Sequence, residues 1–176
     1  MYKIGDFVIY GNTGVCRVED IIFPEEHQSL NYLDKDSSYY ILKPIYQSGT
    51  IYSQVDNDKV FMRPIISKDE AKRLMSVIPQ VCPSVCEKKS VQELKEYYES
   101  RLKTHECSDL IEVTMSIYLK KEQEELKKRK LKQIDIQYMK KAEEMLSQEF
   151  ATVLDIPKVK VLKYISEKFE TREQGQ

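Results

Sequence analysis

The sequence predicts an α+β chain: a small barrel-like β-domain over residues 1–66, then an all-α domain of about five helices over residues 67–176. Three observations carry this. The first 66 residues hold short runs of β-branched and aromatic residues separated by Gly, Asn and Pro. Beyond Pro64 the apolar residues recur at helical spacing behind Ser- and Asp-led starts. Only five glycines occur in the whole chain, which leaves the helical half with few internal breakers.

Phe7-Val8-Ile9-Tyr10 is a compact apolar run, and Gly11-Asn12-Thr13-Gly14 supplies the residues of a tight turn. Residues 15–22 form a second strand, with Val15, Val18, Ile21 and Ile22 as its apolar members. Residues 24–38 are polar and charged and read as a loop. Tyr39-Tyr40-Ile41-Leu42 is a third strand, followed by a break at Gln47-Ser48-Gly49. The run from Thr50 to Val55 alternates, placing Ile51, Ser53 and Val55 on one face and Thr50, Tyr52 and Gln54 on the other. Four or five short strands in about 60 residues suggest a small, bent sheet of the SH3 or Tudor sort.

In the second half, Ser67 and Glu70 stand at capping-box spacing ahead of Ala71, Leu74 and Ile78, and Pro79 ends that helix. Residues 80–89 read as a hinge. Ser90 and Glu93 repeat the capping pattern, with Val91, Leu94, Tyr98 and Leu102 down one face. Ser108 or Asp109 caps a longer helix with Leu110, Val113 and Ile117 inside. Asp135 caps a fourth, carrying Met139, Ala142, Leu146, Glu149/Phe150 and Val153. Asp155 with Pro157 starts a fifth, carrying Val161, Ile165 and Phe169. The apolar stripe of residues 109–132 stops near Ile117, which argues against an extended coiled coil.

Composition narrows the function. The chain is 41% hydrophobic and 32% charged, with 28 basic and 29 acidic residues, as suits a folded globular protein with a solvated surface. No run approaches the about 18 consecutive apolar residues of a membrane span. The start lacks a basic-then-apolar signal layout, so a cytoplasmic location is expected. Cys82 and Cys86 have no second cysteine pair and no nearby His, so neither a metal nor another cofactor is expected. With Cys16 and Cys107 they read as reduced thiols. His27 and His105 sit in predicted loops without a nucleophile or a metal pattern, and read as exposed. No Walker, dinucleotide-binding, nucleophile-elbow or zincin motif occurs. The pairs Glu124-Glu125 and Glu143-Glu144 lie on predicted exposed faces, where carboxylates do not acquire separated pKa values. An enzyme is disfavoured, and no small-molecule substrate is expected.

What remains is surface. Residues 1–66 carry six basic and nine acidic side chains, a net of −3, which leaves +2 for the remainder. Residues 120–141 alone hold nine Lys/Arg and four Asp/Glu, a local +5. Lys132, Lys140 and Lys141, with the run from Lys127 to Lys130, suit phosphate contacts without sequence preference, and Lys88, Lys89 and Lys95 form a second cluster. The plain structural alternative is a solvated helix end whose cations oppose the macrodipole. In the β-half, Thr50, Ile51 and Tyr52 lie on a strand that either pairs on both sides in a closed barrel or offers an edge to another protein's sheet.

Three stretches resemble a known family. Tyr2-Lys3-Ile4-Gly5-Asp6-Phe7-Val8-Ile9-Tyr10-Gly11, through Gly14-Val15, is similar to the opening "KxGDxVVYxxxGV" segment of the CarD/CdnL family of bacterial transcription regulators. Tyr39-Tyr40-Ile41-Leu42-Lys43, Val55-Asp56-Asn57 and Met62-Arg63-Pro64-Ile65-Ile66-Ser67 resemble its strand pair and domain exit. Residues 101–119 and 139–150 resemble its helical domain. The N-terminal part is also similar to the RNA polymerase-interaction module of the transcription-repair coupling factor. The resemblance implies a β-domain that extends a sheet of the RNA polymerase β subunit. It also implies a helical domain that touches promoter DNA at the upstream edge of the melted region and stabilises the open complex. Two departures are visible. The family's basic residues at the polymerase interface are replaced by Pro24 and Tyr52, and its Trp, whose place falls at residues 86–88, has no counterpart because the chain has no Trp. A polymerase-bound adaptor without DNA contact is the alternative this leaves, and an enzyme with an unrecognised site is the third reading.

Overall fold

The computed structural model describes the backbone of residues 1–23, 33–34, 36–78 and 90–173, and the side chains of these as far as residue 167. The chain divides into two compact units, Met1–Ile65 and Ile66–Gln176.

The first unit is an antiparallel sheet of five strands: β1 (Phe7–Tyr10), β2 (Gly14–Ile22), β3 (Tyr39–Pro44), β4 (Ile51–Gln54) and β5 (Met62–Pro64). Their order in space is β4-β3-β2-β1-β5. Consecutive strands pair as a meander, and β5 returns to the far side of β1 with Val8 opposite Pro64. A register shift between Val18 and Asp20 places a bulge in β2. An extra residue there bends a strand and raises its twist, which helps curl the sheet into a half-barrel. It also explains why the buried residues of β2 do not alternate cleanly.

Val8, Cys16, Val18, Tyr40 and Leu42 fill the concave side, with Tyr2, Tyr10, Ile21, Ile51, Val55 and Met62 packed against them. The Tyr2 ring meets Tyr40 edge-on at 5.7 Å, and the Tyr2 N–H donates to the Tyr40 hydroxyl at 2.9 Å. Between β1 and β2 the chain makes one 3-10 turn, Gly11–Thr13. Gly11 is required there. Its N–H donates to the Phe61 carbonyl at 2.8 Å, its φ is +44°, and a Cβ would stand 2.9 Å from a Val60 methyl.

The second unit contains α1 (Lys68–Val77), α2 (Val91–Leu102), α3 (Cys107–Leu126), α4 (Gln133–Leu154) and α5 (Lys158–Glu173). Helix α4 packs on α1, α2, α3 and α5, so it is the central element. Ser67 caps α1 by accepting the Glu70 N–H, while the Glu70 carboxylate turns to Arg73 and does not close a box. Ser90 and Glu93 close a full capping box on α2.

Several side chains depart from their expected places. Val91 is 58% exposed, because the first turn of α2 begins beyond the core reached by Leu94, Tyr98 and Leu102. Helix α3 starts earlier than Ser108, behind Glu106, and α4 starts behind Lys132. Asp135 is therefore a first-turn residue and not a cap, and it is fully buried. Asp155 ends α4 and does not cap α5. His105 is buried, since its short connection is packed between α2 and α3 and is not a free loop. Glu143 is partly buried and accepts the Tyr118 hydroxyl at 2.9 Å.

The connections share one device. No glycine lies between residues 50 and 174, and the left-handed positions after α2, α3 and α4 fall to His105 (φ 55°), Lys128 (φ 54°) and Asp155 (φ 54°). At the end of α3 the Lys128 N–H reaches the Glu125 carbonyl at 2.9 Å and the Arg129 N–H the Glu124 carbonyl at 2.7 Å, a Schellman turn. Glycine is the usual residue in the left-handed place, where an L side chain costs about 1–2 kcal/mol. Asp occupies such sites readily, and His moderately so. Lys128 is the unusual occupant.

Candidate interaction surfaces

Two surfaces and two buried carboxylates could carry function. Strand β4 stands at one end of the sheet order, paired to β3 with Gln54 opposite Tyr39 and Ile51 opposite Leu42. The Val55 N–H donates to the Ser38 carbonyl at 2.9 Å, which continues the same register by one residue. Antiparallel pairs alternate between hydrogen-bonded and non-bonded, so Ile51 and Ser53 direct their main-chain groups at β3 while Tyr52 and Gln54 direct theirs away from it. The Gln54 carbonyl takes the Asn57 N–H at 3.1 Å, which closes that end of the edge. Thr50 is exposed, and Ile51 and Tyr52 are half-buried. The sequence left open whether this strand pairs on one side or both. Among the described residues it pairs on one. Pro24 lies outside the described residues.

The basic residues are distributed along the helical unit. Lys95 on α2 is exposed and 4.0 Å from Glu99. Lys132, Lys140 and Lys141 are exposed at the start and along α4. Lys88 and Lys89, like His27, Cys82 and Cys86, lie outside the described residues. The acids already counted in the +5 segment sit beside particular cations. Lys120 pairs with Asp135, Lys121 lies 3.9 Å from Glu125, and Glu124 gathers both Lys127 at 3.7 Å and Arg129 at 2.9 Å. The Arg129–Glu124 pair spans the two residues that usually make an apolar contact in a Schellman turn, so here an ion pair takes its place. For Lys128 and Lys130 no ion pair is found among the described residues. Leu126, beside them at the last turn of α3, is 86% exposed.

Two carboxylates are wholly enclosed; the sequence put Glu149 on the inner stripe of its helix without assigning it a partner, and took Asp135 for a cap. Asp135 accepts the Tyr98 hydroxyl at 2.8 Å and the Lys120 ammonium at 2.9 Å, joining α2, α3 and α4 at one point. Around it the Tyr98 and Tyr138 rings lie 5.3 Å apart, and the Tyr138 hydroxyl donates to Glu99 at 3.0 Å. Glu149, toward the C-terminal end of α4, accepts the Ile66 N–H at 2.9 Å and the Cys107 thiol at 3.1 Å. It thereby fixes the first residue of the helical unit and the first turn of α3. The available signal was a carboxylate in an otherwise apolar helical stripe, at Asp135 and Glu149 alike.

Both carboxylates are held by protein partners, although among the described residues Asp135 Oδ2 makes no hydrogen bond and meets only the Lys120 ammonium, at 2.9 Å. An apolar recess between Ile78, Ile111, Met115, Leu146 and Ile165 is too tight for a water molecule. Among the described residues no three His, Cys, Asp or Glu side chains gather as a metal site. Cys16 and Cys107 form no disulfide, and burial pushes the Cys16 thiol up to about 11, so it stays protonated in the core. Among the same residues no helix is long and apolar enough to cross a membrane.

Residues 2–66 match the family model of the CarD-like/TRCF RID domain, and the match ends where the helical unit begins. Comparison with curated proteins finds no match for the chain.

Proposed function

We propose, from the premise that the N-terminal unit is a CarD-like RNA polymerase-interaction domain, that this transcription-related protein acts without catalysis, in the cytoplasm. It binds the polymerase β subunit through strand β4 and touches promoter DNA through its helical unit. The observation that carries the reading is the position of β4 at the sheet's end, inside a domain of that family. A strand of the partner added beside β4 gains main-chain hydrogen bonds of about 0.5–1.5 kcal/mol each, and the side chains at Thr50, Ile51 and Tyr52 provide the selectivity. Pro24, outside the described residues, is in this reading a further polymerase-binding residue. Residues 1–66 serve as the polymerase module and 67–176 as the DNA module.

Main-chain pairing suits this β-unit because the unit is acidic and offers few cations for a charge-based interface. Lys95, Lys132, Lys140 and Lys141, with Lys88 and Lys89, supply phosphate contacts that need no base reading. Their effect is to lengthen the life of the open complex.

The test is retention of polymerase β subunit on immobilised full-length protein. Tyr52→Glu places a charge on the edge and is expected to lower retention tenfold or more, while Lys140→Glu with Lys141→Glu leaves it unchanged. Equal retention by Tyr52→Glu and wild type would sink the β4 interface. The second reading, a polymerase-bound adaptor without DNA contact, is favoured by the ion pairs that tie Lys120, Lys121, Lys127 and Arg129 to three neighbouring carboxylates. An unchanged open-complex lifetime in the presence of the protein would select it.

A further inference from the structure

We infer that the turn between α3 and α4 is a nucleic-acid-inserting tip, in which Leu126 is the apolar contact to a base step and Lys128 and Lys130 hold the flanking phosphates. The inference rests on the reading that the helical unit meets DNA, and it moves the centre of that contact away from the lysines of α4.

Four observations converge on this turn. Leu126 is 86% exposed on the final turn of α3, although this helix buries Leu110, Ile111, Val113, Met115 and Ile117. A single exposed leucine is ordinary on a protein surface. This one is followed by Lys127, Lys128, Arg129 and Lys130 and then by Lys132, so it projects from a strongly cationic setting. The acids nearby are already committed: Glu124 holds Lys127 and Arg129, and Glu125 lies by Lys121. Lys128 and Lys130 are exposed, with no ion pair found among the described residues.

Backbone geometry adds the fourth. The Schellman turn puts Lys128 in the left-handed region at φ 54°, where glycine fits without strain. An outlier of this kind points to a role for the side chain. The same turn fixes where the tip points, because the Lys128 and Arg129 amides are bonded back to α3. The Asp135–Lys120 pair, close behind on α4 and α3, ties the two helices that carry the turn.

The occupant follows from the chemistry. Proteins that kink or open a duplex combine an apolar wedge such as Leu with cations on the adjacent phosphates. A purely electrostatic partner would have no use for Leu126. A purely apolar one would not favour the lysines.

The test measures binding of the full-length protein to a duplex with a 2-aminopurine at a flexible pyrimidine–purine step, by anisotropy over a range of salt and by the probe's own fluorescence. Wild type is expected to bind and to brighten the probe as the base unstacks. Leu126→Ser should keep the salt slope but lose about tenfold in affinity and all of the brightening. Lys128→Gln with Lys130→Gln should reduce the slope of log K against log salt by about 1.8, two phosphate contacts at about 0.9 each. Lys128→Gly should weaken binding without lowering the melting temperature, which separates charge from backbone. If Leu126→Ser binds and brightens like wild type while Lys140→Glu with Lys141→Glu loses binding, DNA meets α4 and the tip is refuted. If wild type binds no duplex, alone or with polymerase, the DNA reading itself fails and the tip with it. If Leu126→Ser abolishes attachment to anionic phosphatidylserine vesicles yet leaves duplex binding intact, the occupant is a lipid surface and the inference is wrong.

Discussion

Replacing Asp135 by Ala is expected to destabilise the helical unit by about 4 kcal/mol, and the figure follows from what the carboxylate holds. It is fully buried, takes the Tyr98 hydroxyl at 2.8 Å, and meets the Lys120 ammonium at 2.9 Å with each oxygen. The Lys120 side chain is only 14% exposed, so water replaces the lost partner poorly. Removing one member of a buried pair costs about 3–5 kcal/mol, and stranding a buried hydroxyl costs about 1–3 kcal/mol. The two overlap because they share one carboxylate, so the sum is not taken and about 4 kcal/mol is the working value. With a urea slope of about 2 kcal/mol per molar, the helical circular-dichroism transition of the full-length protein should fall by about 2 M. The triple variant Tyr98→Phe, Lys120→Met, Asp135→Leu removes every polar member of the cluster and should regain most of the loss, since apolar replacement of a buried pair is often neutral. A midpoint within about 0.5 M of wild type for Asp135→Ala, about 1 kcal/mol at that slope, would refute the reasoning.

Two further expectations concern the other carboxylates. Glu149→Ala should expose the Ile66 amide to exchange at least tenfold faster and leave the amides of β1 and β2 unaffected, because Glu149 accepts that N–H and the Cys107 thiol; unchanged protection at Ile66 would show that the bond does not hold the start of the helical unit. Glu143 has a raised pKa, because burial outweighs its Tyr118 hydrogen bond and the nearby Lys140. A carboxyl with a raised folded-state pKa lends stability below the unfolded value and loses it as pH rises through the folded value. Glu143→Gln keeps an acceptor for Tyr118 and should therefore be more stable than wild type at pH 7, with the difference closing below about pH 4. Parallel melting curves for the two proteins across that range would contradict the assignment.

The strand runs and the capping signals were legible because they are local. Phe7-Val8-Ile9-Tyr10, the turn from Gly11 to Gly14, and the Ser67 and Ser90 caps depend on neighbours within a few residues. Helix starts without a side-chain cap were harder. At α3 and α4 the first turn is set by packing, and the sequence offered Ser108, Asp109 and Asp135 as plausible but incorrect caps. Val91 looked internal because spacing marks a face but not how far the core extends along it. His105 looked exposed because a loop residue's burial depends on what packs over it.

The same contrast divides the interaction surfaces. Sequence placed Thr50, Ile51 and Tyr52 on a strand, yet whether β4 has one neighbour or two is a property of the strand order, which joins residues far apart in the chain. Sequence counted nine cations in residues 120–141, yet which of them acids neutralise depends on distances between side chains on different turns and helices.

By itself, then, the sequence determined the α+β class, the change of character near Pro64 and the absence of known catalytic motifs, all of them encoded in periodicity and residue type. The tertiary structure alone decided which partners the buried Asp135 and Glu149 fasten. It also decided that Lys128 sits in a left-handed turn beside an exposed Leu126. Burial, hydrogen-bond partnership and backbone strain arise between residues distant in sequence, and no local pattern records them.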